Sequence, residues 1–395
     1  MVKLKIGKKD KSIVVPFKWN IRIYDISDSS IISNKEILKS FMNPIGTKRI
    51  SEMVNNKRKI AIICDDITRP TDTKKILPYL FKELKIGGIL EENVEVTIAL
   101  GAHRPMTGKE MEEKFGKETL KKVIILNHNP FERLVYLGET SHGTPIEINE
   151  FVASADFKIG IGCIIPHGDA GFGGGGKIIM PGVASLKSID FNHRIPGKLA
   201  EVYNNENRKD IDEYAKKVGL DIIINTVINN KAETVKIFVG DPIEAFREGA
   251  KIAKEMYKIS IAKQADVAII NAFPLDISLI VAIKSLFTGI TNFVKKDGKI
   301  LMSIDARDRL GYHLLSNPGG RYEDAIRKRV RDAIKDRKLI IISSNLNYKE
   351  VNHIFSKCKD VYTCKSFEEA IKDEQLENKE LNVAVFPTAP ISLPS

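Results

Sequence analysis

No apolar stretch in this chain of 395 residues reaches the roughly 18 residues that a membrane-spanning helix needs. The opening MVKLKIGKKDKS is positively charged but leads into no apolar core segment, so no secretory signal is expected. The four cysteines, Cys64, Cys163, Cys358 and Cys364, contain no C-x-x-C pair. Free thiols buried in a reducing cytoplasm are the reading that follows. Internal repeats and low-complexity segments are also missing. The formal charge is +11, yet 51 acidic residues are interspersed with the basic ones. No stripe of basic residues interleaved with aromatics emerges, which speaks against nucleic acid as a partner. A lysine-rich solvated surface that steers anionic substrates fits the balance better.

What the chain does have is concentrated between Phe157 and His193. The apolar run Phe157 to Ile165 reads as a buried strand. It ends at Pro166 and breaks into a loop with His167, six glycines and Lys177. Pro181-Gly182 follows, and the segment closes on His193. Glycines let backbone approach a ligand and turn amide N–H groups toward anionic oxygens. A lysine there supplies an ammonium or, at lowered pKa, a nucleophilic amine. From Gly171 to Lys177 the spacing matches a P-loop, but the next residue is Ile178 where magnesium would need Ser or Thr. A nucleotide hydrolase is therefore not supported. A phosphate- or nucleotide-binding protein without turnover, using Gly171–Lys177 as an anion nest, stays open as the alternative to an enzyme.

Taken in order, the chain alternates strand, loop and helix. Strands are expected over Ser12 to Phe17, Asn20 to Tyr24, Lys59 to Cys64, Val94 to Leu100 and Lys122 to Asn127. Helices are expected near Asn34 to Met42, Thr73 to Leu84 and Gly108 to Phe115. A hairpin spans Leu134 to Asn149, turning at Ser141-His142-Gly143-Thr144. After His193 come a helix from Asp210 to Val218, paired strands within Leu220 to Val235, and a helix from Asp241 to Tyr257. The pattern predicts an α/β protein of two α/β domains, 1–260 and 261–395, the first a doubly wound, mostly parallel sheet. The second opens with Ala265 to Ile270, continues into a helix carrying Lys284, and includes a Gly-Pro-rich loop at 317–320 and strands at Lys338 to Ser343 and from Asn382.

Three polar motifs each follow an apolar strand: Asp66 with Arg69, His103 with Arg104, and His167 with Lys177. If those strands are parallel neighbours, all three lie at one carboxyl edge, where such sheets bind ligands. His103 and His167 suit general acid–base work. Two imidazoles at one edge suit a reaction that treats both faces of a carbon alike. Arg69 and Arg104 either pair with acidic neighbours or grip a carboxylate or phosphate bidentately. His193 is either a metal ligand or a structural residue, and Cys163 is a buried strand thiol rather than a second ligand. Lys284 either snorkels to the surface or projects into a cleft between the domains. His128, His142, His313 and His353 are read as structural.

DDITRPT, GAHRPMT and His167 followed by GFGGGGK, PG and His193 resemble the nickel-dependent lactate racemase family of 2-hydroxyacid racemases and epimerases. The resemblance covers most of the chain and implies an isomerase with its active site in the interdomain cleft. It also implies a cofactor: nickel held in a pincer by pyridinium-3-thioamide-5-thiocarboxylic acid mononucleotide, tethered to Lys177, with His193 as metal ligand. His103 and His167 become the catalytic acid–base pair. Asp66, Arg69, Gly174 and Gly175 become cofactor contacts, and Arg69 and Lys284 substrate contacts. The implied partners are a small 2-hydroxyacid and the proteins that build the cofactor, with no membrane and a cytoplasmic location. Two positions depart from the family. Val281 stands where a glutamine is frequent, three residues before Lys284, and Gly173 stands where serine is common. A bulkier or more apolar acid than lactate is compatible with Val281.

Overall fold

Strand β1, Ile60–Asp65, is buried at all six positions, so its apolar run is continuous rather than alternating. That is how a strand covered on both faces reads. In the computed structural model, which describes residues 1–316, 322–356 and 358–395, this strand is central to one of two compact units. This unit comprises Ser29–Glu255. Its other strands are β2 (Val94–Ala99), β3 (Ile124–Asn127), β4 (Phe157–Cys163), β5 (Ile222–Ile228) and β6 (Thr234–Gly240). They form one six-stranded sheet in the order β6-β5-β4-β1-β2-β3. All pairings are parallel except β5 with β6, which is antiparallel. From β1 the chain winds outward through β2 to β3, then returns to lay β4 on the other flank of β1. The winding therefore reverses between β1 and β4, the place where open α/β sheets form a ligand crevice.

Local chemistry sets the helices. Gly108–Phe115 starts from a capping box in which Thr107 accepts from the Glu110 N–H and Glu110 accepts from the Thr107 N–H. Asp241 takes the N–H groups of Ile243 and Glu244 at 2.8 and 2.9 Å and so starts the helix Glu244–Met256. Lys122 closes a helix, Lys117–Lys122, rather than opening β3. The segment KETLKK is made of good helix formers and follows Gly116, whose φ of 82° breaks the preceding helix.

The other unit joins Met1–Asp28 to Met256–Ser395. Its all-parallel sheet runs Val361–Cys364, Lys338–Ile342, Val294–Ser303, Ala265–Asn271, Leu381–Phe386 and Trp19–Ile23. A split at residue 260 therefore misassigns the first 28 residues. They belong here because Trp19–Ile23 pairs with Leu381–Phe386, and Trp19 donates its indole N–H to the Leu376 carbonyl at 3.2 Å. Val2, Leu4, Ile13 and Trp19 pack in one core with Val267, Leu301 and Val383. The helix expected to carry Lys284 is an α-helical turn, Leu279–Ala282, that tightens into a 3-10 turn at Ile283–Leu286. The stretch 317–320 lies outside the described residues. Among the described residues no helix is long and apolar enough to cross a membrane.

Trp19 is the chain's only tryptophan. Its fluorescence will follow unfolding of the strands in Met256–Ser395, not those in Ser29–Glu255, when compared with hydrogen exchange across a denaturant series. Trp19→Ala will destabilise that unit by about 3–5 kcal/mol, the usual cost of emptying a buried aromatic site.

Candidate active site

The loops after β1, β2 and β4 carry the three motifs, and these strands are adjacent in the order β4-β1-β2. The loop after β1 is fixed from beneath by Lys114, on the helix Gly108–Phe115. Its buried ammonium reaches Asp65 Oδ1 at 2.7 Å, the Asp66 carbonyl at 2.8 Å and the Arg69 carbonyl at 3.1 Å. The two carbonyls accept hydrogen bonds, and Asp65 adds an ion pair. Thr71 adds a hydroxyl bond to Asp65 Oδ2 at 2.5 Å.

Asp66, so held, presents its carboxylate to the motif after β2. Its Oδ2 lies 2.7 Å from His103 Nδ1, and its Oδ1 accepts from the Thr68 N–H at 3.1 Å and hydroxyl at 2.5 Å. Burial alone would raise the Asp66 pKa. The charge and hydrogen bond of His103, with Arg69 and Thr68, outweigh it and hold the carboxyl far below its ordinary range. An ionised Asp66 accepts the proton on His103 Nδ1, which places the lone pair of the neutral ring on Nε2. Arg69 bonds Thr68 Oγ1 through Nη1 at 2.7 Å. Arg104 is committed elsewhere, in a bidentate pair with Glu110 at 2.9 and 2.6 Å. The hydrogen bond from Arg104 holds the Glu110 carboxyl down at about 2.

His167 has the opposite arrangement. Its Nδ1 accepts from the N–H groups of Asp169 and Ala170 at 3.3 and 3.2 Å. Both amides can only donate, so the proton of the neutral ring belongs on Nε2. His193 caps the helix Leu186–Asn192, and its Nδ1 donates to the Ile189 carbonyl at 2.8 Å. That leaves the lone pair of the neutral ring on Nε2, and a backbone-anchored Nδ1 is the arrangement a metal-binding imidazole uses. Burial, then the nearby Lys177 ammonium, bring its pKa down to about 4, against the pull of Asp169. Lys177 and His193 are thus within electrostatic reach of one another. Gly182 ties the group together, donating its N–H to the Lys177 carbonyl at 3.3 Å while its carbonyl accepts from Gly101 at 2.9 Å.

The glycines meet protein at close range. A Cβ on Gly174, at φ 84°, would lie 2.6 Å from Asn225 Oδ1, and one on Gly175, at φ 59°, 2.8 Å from the Phe246 ring. The Gly173 N–H is taken by the Ile165 carbonyl at 2.7 Å and the Gly175 N–H by Asn225 Oδ1 at 2.8 Å. From behind, the fully buried Arg208 donates to the carbonyls of Ala170 (3.1 Å), Gly174 (3.2 Å) and Phe172, with its guanidinium over the Phe246 ring. Gly174 and Gly175 therefore have a packing role in this loop.

Lys284 lies in the other unit, half-buried in the 3-10 turn, and Val281 is buried one turn before it. The Cys163 thiol is pushed up to about 12 by burial and the Asp65 charge. Among the described residues, a three-donor grouping able to hold a metal on protein groups alone occurs at Cys364, Glu369 and Asp373.

Residue patterns pass over Lys114, Thr68, Arg208 and Asn225. Asn225 alone carried a signal: it is a polar residue inside the apolar strand IIINTVI, where a buried amide must find partners. Of the histidines read as structural, His128 bonds the Ala184 carbonyl at 2.9 Å and His353 lies 3.5 Å from Glu323.

Comparison with known proteins gives this site a setting. Residues 6–202 match the model of the lactate racemase N-terminal domain. The lactate racemase of Thermoanaerobacterium thermosaccharolyticum is 29% identical over 423 residues, spanning 95% of this chain and 97% of that protein. The lactate racemase of Lactiplantibacillus plantarum is 31% identical over 303 residues, 73% of this chain and 71% of that one. The structure of the Thermoanaerobacterium thermosaccharolyticum lactate racemase apoprotein superposes with a TM-score of 0.79 at 26% identity, over 100% of this chain and 99% of that one. A Thermotoga maritima protein shares the fold, with a TM-score of 0.67 at 18% identity over 94% and 99% of the two chains. Fold and matches define an α/β isomerase of the racemase type. The chain belongs to the lactate racemase family.

Two outcomes follow from the site geometry. Asp66 has a depressed folded-state pKa, so its contribution to stability is complete above the unfolded value of about 3.9 and is lost as pH falls toward the folded value. Asp66→Asn will remove that contribution, and the stability gap between wild type and variant will narrow as a urea-unfolding series is taken from neutral pH to below pH ~4. Arg208→Met leaves three loop carbonyls without their donor, at about 1–3 kcal/mol each. Amide exchange between Gly173 and Lys177 will quicken in that variant while exchange in β1 and β2 holds.

Proposed function

We propose that this racemase inverts C2 of a 2-hydroxyacid, lactate or a bulkier relative, using His103 and His167 as an acid–base pair. The observation that carries the reading is the opposed anchoring of the two rings, His103 Nδ1 on the Asp66 carboxylate and His167 Nδ1 on two amide N–H groups, which assigns a lone pair to His103 Nε2 and a proton to Nε2 of neutral His167. His103 is poised to take the substrate hydroxyl proton, and His167 returns one to the oxygen after its ring has gained a second proton as imidazolium. Asp66 strengthens His103 as the base, since its carboxylate stabilises the imidazolium formed. Arg69 anchors one nitrogen on Thr68, and its planar fork suits a carboxylate. Lys284 is proposed as a substrate contact on the family likeness, with Val281 beside it favouring an apolar substituent.

The residues present fit the family's cofactor. Lys177 would hold the tethered nucleotide, and His193 would supply one imidazole to nickel, consistent with a ring whose Nδ1 is fixed on Ile189. When bound, that group supplies a reversible hydride acceptor for the substrate Cα. The protein's share is to hold the acid and base and to keep their tautomers distinct. Loading requires partner proteins that build the cofactor. The anion-nest alternative finds no support in the loop, since the Gly173 and Gly175 amides are spent on protein acceptors.

The test is protein co-produced with the cofactor-building proteins. Intact and peptide mass spectra will show an adduct on Lys177 that Lys177→Ala lacks. His103→Ala and His167→Ala will each keep the adduct and lose about 10²–10⁴-fold in racemisation rate, the usual worth of a general acid or base. Full activity in either histidine variant would end the two-base scheme.

A further inference from the structure

The hairpin Leu134–Glu139 and Pro145–Asn149 delivers two hydroxyls into the interior from either side of its turn. Thr140 Oγ1 reaches Asp210 Oδ1 at 2.5 Å, and Thr144 Oγ1 reaches Asp210 Oδ2 at 2.9 Å. Asn192 Nδ2 is the third donor, at 2.7 Å from Oδ2. Asp210 is fully buried, and Asn192 is 1% exposed. The nearest cation-capable group is His142, whose Nδ1 is 3.8 Å away and whose Nε2 faces Glu206 at 3.3 Å. A buried carboxylate ringed mainly by neutral donors is a costly way to join a hairpin to a helix, since apolar packing of the same volume would do so more cheaply. Its geometry, however, is specific.

That specificity is directed at His193. Asn192 precedes it, and the Asn192 carbonyl accepts from Asn207 Nδ2 and from the Ile195 N–H, both at 3.0 Å. Asn207 Nδ2 also reaches Asn192 Oδ1 at 3.2 Å. With its side chain held by Asp210 and its carbonyl by Asn207, the peptide entering His193 is fixed on both sides. The His193 N–H and Nδ1 both go to the Ile189 carbonyl. Asp210 also shares the helix Glu206–Val218 with Arg208. One helical turn therefore grips the glycine loop that carries Lys177 through residue 208, and the end of the His193 helix through residue 210.

We propose that Asp210 is a positioning residue that fixes the His193 imidazole relative to Lys177, a role that rests on reading His193 as the metal ligand. It touches neither substrate nor cofactor. Its effect passes through Asn192 to one ring and leaves His103 and His167, which are anchored on Asp66 and on the 169–170 amides, as they are.

Carbethoxylation of the cofactor-free protein by diethyl pyrocarbonate at neutral pH, followed by peptide mass spectrometry, tests this ring by ring. Asp210→Asn will raise the modification rate at His193 by about threefold or more, as a locally loosened site does, with the rates at His103 and His167 unchanged. An unchanged His193 rate in the folded variant overturns the proposal. So does a parallel rise at all three histidines, which would make Asp210 a general structural group. The double variant Thr140→Val, Thr144→Val removes two donors from the same carboxylate. It must give the same selective rise, and it decides the matter if Asp210→Asn does not fold. In protein loaded with cofactor, nickel content and the Lys177 adduct are measured for His193→Ala. Nickel lost with the adduct intact supports the ligand reading. Nickel retained there overturns that reading, whereas the modification rates judge the positioning by themselves.

Discussion

A single buried ammonium underlies the site. Lys114 pairs ionically with Asp65 at the end of β1 and donates to two carbonyls of the loop that follows, and so sets the path of DDITRPT. Without that path Asp66 would not face His103, whose Nδ1 it holds at 2.7 Å. Two acidic residues at the end of a buried strand would repel. Lys114 neutralises the first, Asp65, so the second can be spent on an imidazole.

The consequence is an asymmetric pair of histidines at the end of a sheet with nearly symmetric strand geometry. β1 lies between the strands that deliver them, so position alone would make the two rings equivalent. Their anchors differ in kind. A carboxylate acceptor fixes a proton on Nδ1 of His103, and two amide donors exclude one from Nδ1 of His167. A racemase must run in both directions, so each ring has to visit both protonation states. The carboxylate stabilises the charged form of His103, whereas amide dipoles give His167 no such help.

Much of this was legible in the sequence because it rested on periodicity. Buried strands of five to seven apolar residues, each running into a polar motif, located β1, β2 and β4 and their common edge. His103, His167 and Lys177 stood out by their places after apolar strands, and the roles proposed for them and for His193 came from motif likeness. What escaped notice involved long-range pairing. The strand Trp19–Ile23 is an ordinary short run, and nothing local says that it adds to a sheet assembled from residues beyond 256. Lys114 and Arg208 sit in helices among other charges, and a buried cation looks like an exposed one until its acceptors are brought to it. Arg104 had two readings in sequence, and the capping Glu110 decides between them by taking both its terminal nitrogens.

The glycine loop shows how the same letters can answer to a different force. A run of four glycines before a lysine matches a phosphate cradle in spacing, and the missing hydroxyl after Lys177 was the first sign against that role. The folded loop supplies the positive reason for the glycines. Between the end of β4 and Lys177 the chain must pass beneath Arg208, against Phe246 and over Asn225, with room for backbone only. Crowding by protein, rather than approach of an anion, excludes a Cβ at Gly174 and Gly175. The Gly173, Gly175 and Lys177 amides are bonded to protein acceptors and hold the loop, and a held loop is what a lysine needs if a bulky group bound to it is to sit at a fixed distance from His193.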